Sequence, residues 1–378
     1  MKCKHQFIAI LLVNVCFATS CNNTPNDIPI IDMDNPTGYI DLALSDLLDD
    51  ITMVPLETRD DLLLSTRDAS FIVSNNYILA NTEEKLFQFD RQGRFIRIVT
   101  TQGNGPNEFN IIGKSLIDET QEIFYYTNLG RSNSIACIHL NTGAFLESLY
   151  PDFPPFSMET IDSQGNIYGL PWVADSILLA YKYNPAEQSV TTYKKQRPLI
   201  TEYIGKVMFR QGDHIFFLSF SYSDTLFKID GDKTSPQYVM KLKDLQTRDR
   251  NRNRSSVNFH FLYSGTHGTI INKMETLILM TERGMSTDNK HTASLFLNKK
   301  AELQTIRSMT IFPCIKIPIP TISGLWGHIK VEATDMIELI DQALKGNQLS
   351  VDQRKALEEV SAKIDEGSNP ILIIGKVK

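Results

Sequence analysis

One short unit recurs through most of this chain, and it limits the available folds more than any other feature. An apolar strand-like run ends in Asp or Asn, a polar turn follows, and a second run leads back. The unit reads Leu86-Phe87-Gln88-Phe89-Asp90 with Arg91-Gln92-Gly93, then Cys137-Ile138-His139-Leu140-Asn141 with Thr142-Gly143. It returns at Ala180-Tyr181-Lys182-Tyr183-Asn184, at Leu226-Phe227-Lys228-Ile229-Asp230 with Gly231, and at Ser294-Leu295-Phe296-Leu297-Asn298. Asp and Asn favour turn initiation, and Gly supplies the positive φ that a tight hairpin needs. Successive turns lie 51, 43, 46 and 68 residues apart. Each interval also holds an earlier hairpin, as in Phe71–Tyr77 and Glu159–Tyr168. Two hairpins per ~40–50 residues make a four-stranded blade, so the sequence predicts a β-propeller. A β-sandwich would not repeat two hairpins at a near-fixed period.

The ends of the chain depart from the repeat. Residues 331–345 and 350–366 carry helical spacing: Met336, Leu339, Ile340, Ala343 and Leu344, then Leu357, Val360 and Ile364. Ser350 with Gln353 reads as a capping box. A final strand is predicted from Pro370 to Lys378, in a blade that lacks its outermost strand. The run Ile51–Glu57 has no blade of its own, so we expect it to complete the last one and close the ring. Closure would remove an exposed sheet edge. The expected organisation is a propeller over residues 50–378, with helices inserted at about 331–367 in the last blade.

The first 20 residues look like a secretory signal. Lys2 and Lys4 precede an apolar run from Phe7 to Val13, and Ala18-Thr19-Ser20 stand before Cys21. A cysteine directly after such a site points to a bacterial lipoprotein, with Cys21 as the lipid-bearing first residue. The apolar run is shorter than a span of ~20 residues. Residues 21–49, rich in Asn, Asp, Pro and Thr at first, read as a flexible tether. Cys3 and Cys16 leave with the signal, so Cys137 and Cys314 remain as two buried thiols or, in an exported protein, as a pair. The net charge of −6 excludes a general nucleic-acid surface.

Three stretches carry a family resemblance. Val54-Pro55-Leu56-Glu57-Thr58 is an opening strand. Phe89 to Ile96, followed by Gln102-Gly103-Asn104-Gly105-Pro106-Asn107-Glu108-Phe109, is a first-blade hairpin with its loop. Asn369-Pro370-Ile371-Leu372-Ile373-Ile374 is a closing strand. Together they resemble the six-bladed β-propeller lipoproteins of Gram-negative anaerobes, relatives of the NHL-type propellers. The resemblance implies an all-β six-bladed ring and anchoring in the cell envelope, at the outer membrane. It implies no reaction.

The residues suggest no catalytic group, metal site or cofactor. Gly103-x-Gly105-Pro106 lacks the Gly-Lys-Ser/Thr ending of a phosphate loop and reads as a tight link between blades, with Glu108 accepting backbone hydrogen bonds. His260 and His267 lack a usual ligand spacing. The alternating arginines Arg248, Arg250, Arg252 and Arg254 read either as a solvated loop between blades four and five or as guanidinium forks for an anionic ligand. Strands within a blade alternate in direction. The second-to-third-strand loops and the links between blades therefore share one face. That face would gather Arg131, Trp172, Asp175, Tyr222, Arg283 and the arginine run as a ligand-binding surface. The function expected is a non-catalytic binding or interaction module for a glycan, a peptide or an envelope protein, held to the membrane through Cys21. An envelope glycan hydrolase or lyase with its site at the channel mouth, and an accessory subunit of an outer-membrane uptake complex, stand as alternatives.

Overall fold

The computed structural model describes residues 28–378 apart from 131–133, 153–157, 171–177, 195–205, 220–223, 242–252, 265–267 and 282–283, with backbone alone over most of 253–264, 272–281 and 284–291. Strands β1 (Ile30–Asp32), β2 (Tyr39–Ala43) and β3 (Leu48–Pro55) come first, with a one-turn helix α1 (Leu44–Leu47) before β3. Blade 1 is β4 (Ser70–Val73), β5 (Tyr77–Asn81), β6 (Lys85–Asp90) and β7 (Phe95–Thr101). Blade 2 is β8 (Ile112–Asp118), β9 (Ile123–Asn128), β10 (Ile135–His139) and β11 (Ala144–Phe145). Blade 3 is β12 (Met158–Ile161), β13 (Ile167–Gly169), β14 (Leu178–Asn184) and β15 (Ser189–Lys194). Blade 4 is β16 (Lys206–Gln211), β17 (His214–Ser219), β18 (Thr225–Asp230) and β19 (Lys233–Lys241). Blade 5 is β20 (Asn253–Ser264), β21 (Gly268–Thr281), β22 (Gly284–Asn298) and β23 (Leu303–Phe312), with β24 (Ile315–Lys316) folded back on β23. Blade 6 is β25 (Thr321–Ser323), β26 (Trp326–Val331), the helices α2 (Ala333–Lys345) and α3 (Val351–Ser361), and β27 (Ile371–Val377).

The six sheets form the propeller that the repeat predicts, with the six blades that the resemblance implies. The middle strands β6 and β9 are buried along nearly their whole length. A blade is covered on both faces by its neighbours, so its central strands cannot alternate between apolar and polar. Among the described residues the core is divided into six apolar clusters, one at each seam. Phe87, Phe89, Leu372 and Ile374 fill the seam between blades 6 and 1, and Phe124, Tyr126 and Ile138 that between blades 1 and 2.

Closure is as expected. β3 pairs antiparallel with β27, with Ile371 opposite Pro55 and Ile373 opposite Met53. The motif residues explain themselves at this seam. Asn369, 1% exposed, donates from Nδ2 to the carbonyls of Glu57 (2.7 Å) and Leu62 (2.8 Å), and its Oδ1 accepts from Leu64 N (2.7 Å). Gly93 has φ +82°, and a side chain there would overlap the Pro55 carbonyl. Gly105 N donates to Glu108 Oε2 at 2.5 Å, so Glu108 does tie the link between blades. The capping box is present too: Ser350 Oγ accepts from Gln353 N, and Ser350 N donates to Gln353 Oε1.

Two expectations are corrected. Residues 30–49 are not a tether. β1 pairs in parallel with β19 as a fifth strand of blade 4, and β2 pairs in parallel with β23 on blade 5. With β3, the segment makes a girdle over the outer edges of three consecutive blades. Ile31, Met33, Leu42, Leu44 and Leu47 are buried beneath it, which supplies the hydrophobic drive that the polar composition concealed. Asp41 fastens β2: Arg307 and the Ser308 hydroxyl donate to its carboxylate and hold its pKa down at about 2. The two cysteines also differ from a buried pair of thiols. Both are free, but Cys314 is exposed, whereas burial pushes the Cys137 thiol up to about 12.

Candidate functional site

The first-to-second-strand turns and the second-to-third-strand loops lie on opposite faces of the ring. On the face of the first set, neighbouring turns are tied to one another. Trp326 Nε1 of blade 6 donates to Asn75 Oδ1 of blade 1 (3.0 Å), and Asn75 N donates to Glu119 Oε2 of blade 2 (2.9 Å). Thr120 Oγ1 reaches Ser163 O of blade 3 (3.5 Å), and Ser163 Oγ donates to Asp213 Oδ1 of blade 4 (3.1 Å). This face carries several carboxylates that accept bonds from the turns, although Asp118 Oδ2 is buried with no hydrogen-bond partner among the described residues. Asp118 Oδ1 accepts from Thr120 N and Gln121 N, and Glu122 accepts from Asn76. Burial raises the pKa of Glu119, partly offset by its bond to Asn75 and by Arg91. The Arg91 guanidinium lies 3.9 Å over the Trp326 ring, a cation–π contact that links blades 1 and 6.

The opposite face carries a cleft of about 530 Å³ over the junction of blades 6, 1 and 2. Three backbone segments wall it. Arg67–Ser70 enter blade 1, Asn81–Glu83 turn between its second and third strands, and Asn110–Ile112 lead into blade 2. Lys330, from the end of β26, closes one side and donates to the carbonyls of Thr66 and Ala69 (3.0 Å to the latter). Glu332 Oε1 accepts from Thr66 N (2.7 Å) and Thr66 Oγ1 (2.6 Å), which fixes the wall from outside. The lining mixes both charges, Arg67 and Lys330 against Asp68 and Glu83, with the exposed apolar Ile111 at the rim. Asn81 Oδ1 is buried and has no hydrogen-bond partner among the described residues. A smaller cleft of about 360 Å³ lies on blade 5 between Thr292–Ser294 and Ile317–Ile319.

The cleft sits on the face where the sequence places a binding surface, but at residues that it did not single out. Arg67, Asn81 and Lys330 come from turns and a strand end without a local motif, and only the ring brings them together. Of the residues expected there, Arg131, Trp172, Asp175, Tyr222, Arg248, Arg250, Arg252 and Arg283 lie outside the described residues, as does Cys21. Arg254 differs from expectation. It stands in strand β20, opposite Ile278 on β21, rather than in a loop. Among the described residues no group of three His, Cys, Asp or Glu side chains could hold a metal ion, and no helix is long and apolar enough to cross a membrane.

A candidate exported protein of Bacteroides fragilis superposes with a TM-score of 0.57 at 12% identity, over 90% of this chain and 100% of that one. The extracellular domain of a candidate one-component system of B. thetaiotaomicron gives 0.38 at 13% identity, over 68% of this chain and 34% of the other. A TolB-like protein of Agrobacterium tumefaciens gives 0.40 at 12% identity, over 70% and 95%. No curated protein sequence matches. A family profile described as a domain of unknown function, DUF4934, matches residues 26–376, and this chain belongs to that family.

Proposed function

We propose that this protein is a lipid-anchored binding module of the cell envelope, carried at the outer membrane, whose cleft over blades 6, 1 and 2 takes a segment of glycan or extended peptide. The observation that carries this reading is the cleft. It is open, about 530 Å³ in volume, and lined by amide and charged groups with Ile111 at its edge. Turn residues on a fixed ring are where binding groups are commonly held. A polar lining of mixed sign suits a neutral or zwitterionic polymer better than a polyanion. On the opposite face Asp118 Oδ1 and Glu119 Oε2 accept backbone hydrogen bonds from the turns. The address rests on Ala18-Thr19-Ser20-Cys21, and the description of the B. fragilis neighbour as a candidate exported protein accords with it.

Detergent-solubilised full-length protein on glycan and peptide arrays tests the ligand. Asn81→Ala and Ile111→Asp should each weaken a hit by roughly tenfold, as expected when one good contact is lost. A hit indifferent to both variants would move the site off this cleft. Labelling cells with radioactive palmitate tests the anchor, since Cys21→Ser should abolish it.

A further inference from the structure

The start of the girdle limits how far the ring can stand from an anchor at Cys21. β1 is fixed to the outer edge of blade 4 by the pairings Ile30–Val239, Ile31–Met240 and Asp32–Lys241. Val239 N donates to Pro29 O (3.0 Å) and Met33 N to Lys241 O (3.1 Å), so the hold extends to both sides of the strand. Nine residue steps separate Cys21 from Ile30. A chain gains at most ~3.3–3.6 Å per residue, so the leash reaches about 30 Å when fully drawn out. A ring of two opposed blades with strands ~4.8 Å apart and a channel between them is roughly 50 Å across. The leash is therefore shorter than the ring is wide, and it starts at one edge.

That edge is unlike the rest of the girdle. Ile31 and Met33 point into the core, while Ile28, Pro29 and Ile30 face out. Ile30 is 67% exposed, and Tyr39, at the start of β2 on the next blade, is 73% exposed. Lys233 and Lys241 on β19 are exposed beside Asp230 and Asp232, so charge alone gives this rim little preference. The leash does, and it ends at exposed apolar groups. We propose that the rim of blade 4, formed by β1 and β19 with Ile28 and Ile30 outward, together with Tyr39 at the adjoining edge of blade 5, contacts the lipid surface that holds the anchor. The ring then stands on edge. Blade 1 lies opposite blade 4 in a ring of six, so the cleft at blades 6, 1 and 2 is carried at the end away from the bilayer. A tight leash thus presents the binding face to its surroundings.

This inference rests on the lipid anchor of the proposed function, and the test separates the two. Full-length protein carrying Cys314→Ser is given one surface cysteine, either Lys241→Cys at the blade 4 rim or Ile98→Cys at the blade 1 rim. Each is labelled with a fluorophore. The protein is then reconstituted in phosphatidylethanolamine–phosphatidylglycerol vesicles containing headgroup spin-labelled lipid. Quenching at position 241 should exceed that at position 98 by at least about threefold. Inserting twenty Gly and Ser residues after Thr24 should remove most of that difference. A lipidated protein quenched equally at both positions overturns the orientation and leaves the anchor standing. Absence of lipid on Cys21, read by mass spectrometry of the same samples, overturns both. If position 241 is unquenched, and Ile28→Ser with Ile30→Ser converts a dimer to a monomer, the rim is an interface between copies and the proposal falls.

Discussion

The two faces of the ring are built from the same kinds of turn and end up unlike each other. On one, the turns of blades 6, 1, 2, 3 and 4 bond successively to their neighbours, from Trp326 through Asn75, Glu119, Thr120 and Ser163 to Asp213. On the other, three wall segments part over blades 6, 1 and 2 and leave a cleft. The difference lies in whether neighbouring turns reach one another. Turns of the first face bond from blade to blade, although Asp118 Oδ2 and Arg91 Nη1 are buried there with no hydrogen-bond partner among the described residues, whereas the second face parts into a cleft with Asn81 Oδ1 unpartnered and Ile111 in water. A ring that is laced on one side can leave its other side free to vary.

The strongest way to break this arrangement is at the seam that both faces share. Asn369→Ala removes three hydrogen bonds at a fully buried site and leaves backbone groups of residues 57–64 unmet. It should cost about 3–5 kcal/mol, read as a lower denaturant midpoint. Within the same blade, His328 is 3% exposed, and desolvation, with Lys330 nearby, pushes its pKa down to about 4. Its ordinary value is about 6.5, so the unfolded chain takes up the proton first as pH falls. The neutral histidine therefore favours the fold fully above pH ~6.5, and this contribution drains away between pH ~6.5 and ~4. It is worth roughly 3 kcal/mol. Wild-type melting should fall more steeply over that window than melting of His328→Gln, and parallel curves would refute the assignment.

The lacing itself should prove weaker. Asn75→Ala loses the bond from Trp326 while keeping the backbone bond to Glu119, and about 1 kcal/mol of stability is the expected loss. The smallest effect on folding belongs to the cleft. Ile111→Asp should change stability by no more than about 0.5 kcal/mol, because that side chain is already exposed. If it destabilised the ring more than Asn75→Ala, the contrast between a structural face and a binding face would be lost.

The repeat made the ring legible because the third strands of blades 1 to 5 run into Asp or Asn and turn back, a local signal. The closing strand was legible by subtraction, since Ile51–Glu57 had no partner of its own. The girdle was not. β1 and β2 are three and five residues long, pair in parallel without a hairpin, and draw their order from the edges of β19 and β23. Nothing in Ile30-Ile31-Asp32 announces a strand until a sheet edge is offered to it. The cleft was hidden for a related reason. Arg67, Asn81, Asn110 and Lys330 lie far apart in sequence, and each looks like an ordinary turn or surface residue.

Closure by the two ends of the chain sets a schedule for synthesis. Asn369 and Glu57 meet across 312 positions, so the loop to be shut is nearly the whole protein. Contacts of that span form late, because the entropy of bringing the ends together must be met before they contribute anything. The girdle, among the first segments to emerge, stays without its final partner until β27 has been made and delivered. During that interval β3 and β27 are both apolar strands with open edges, a form prone to pairing with other chains. Until β27 is available the chain is therefore exposed to pairing with its copies, and loss of β27 would leave the ring open at blade 6.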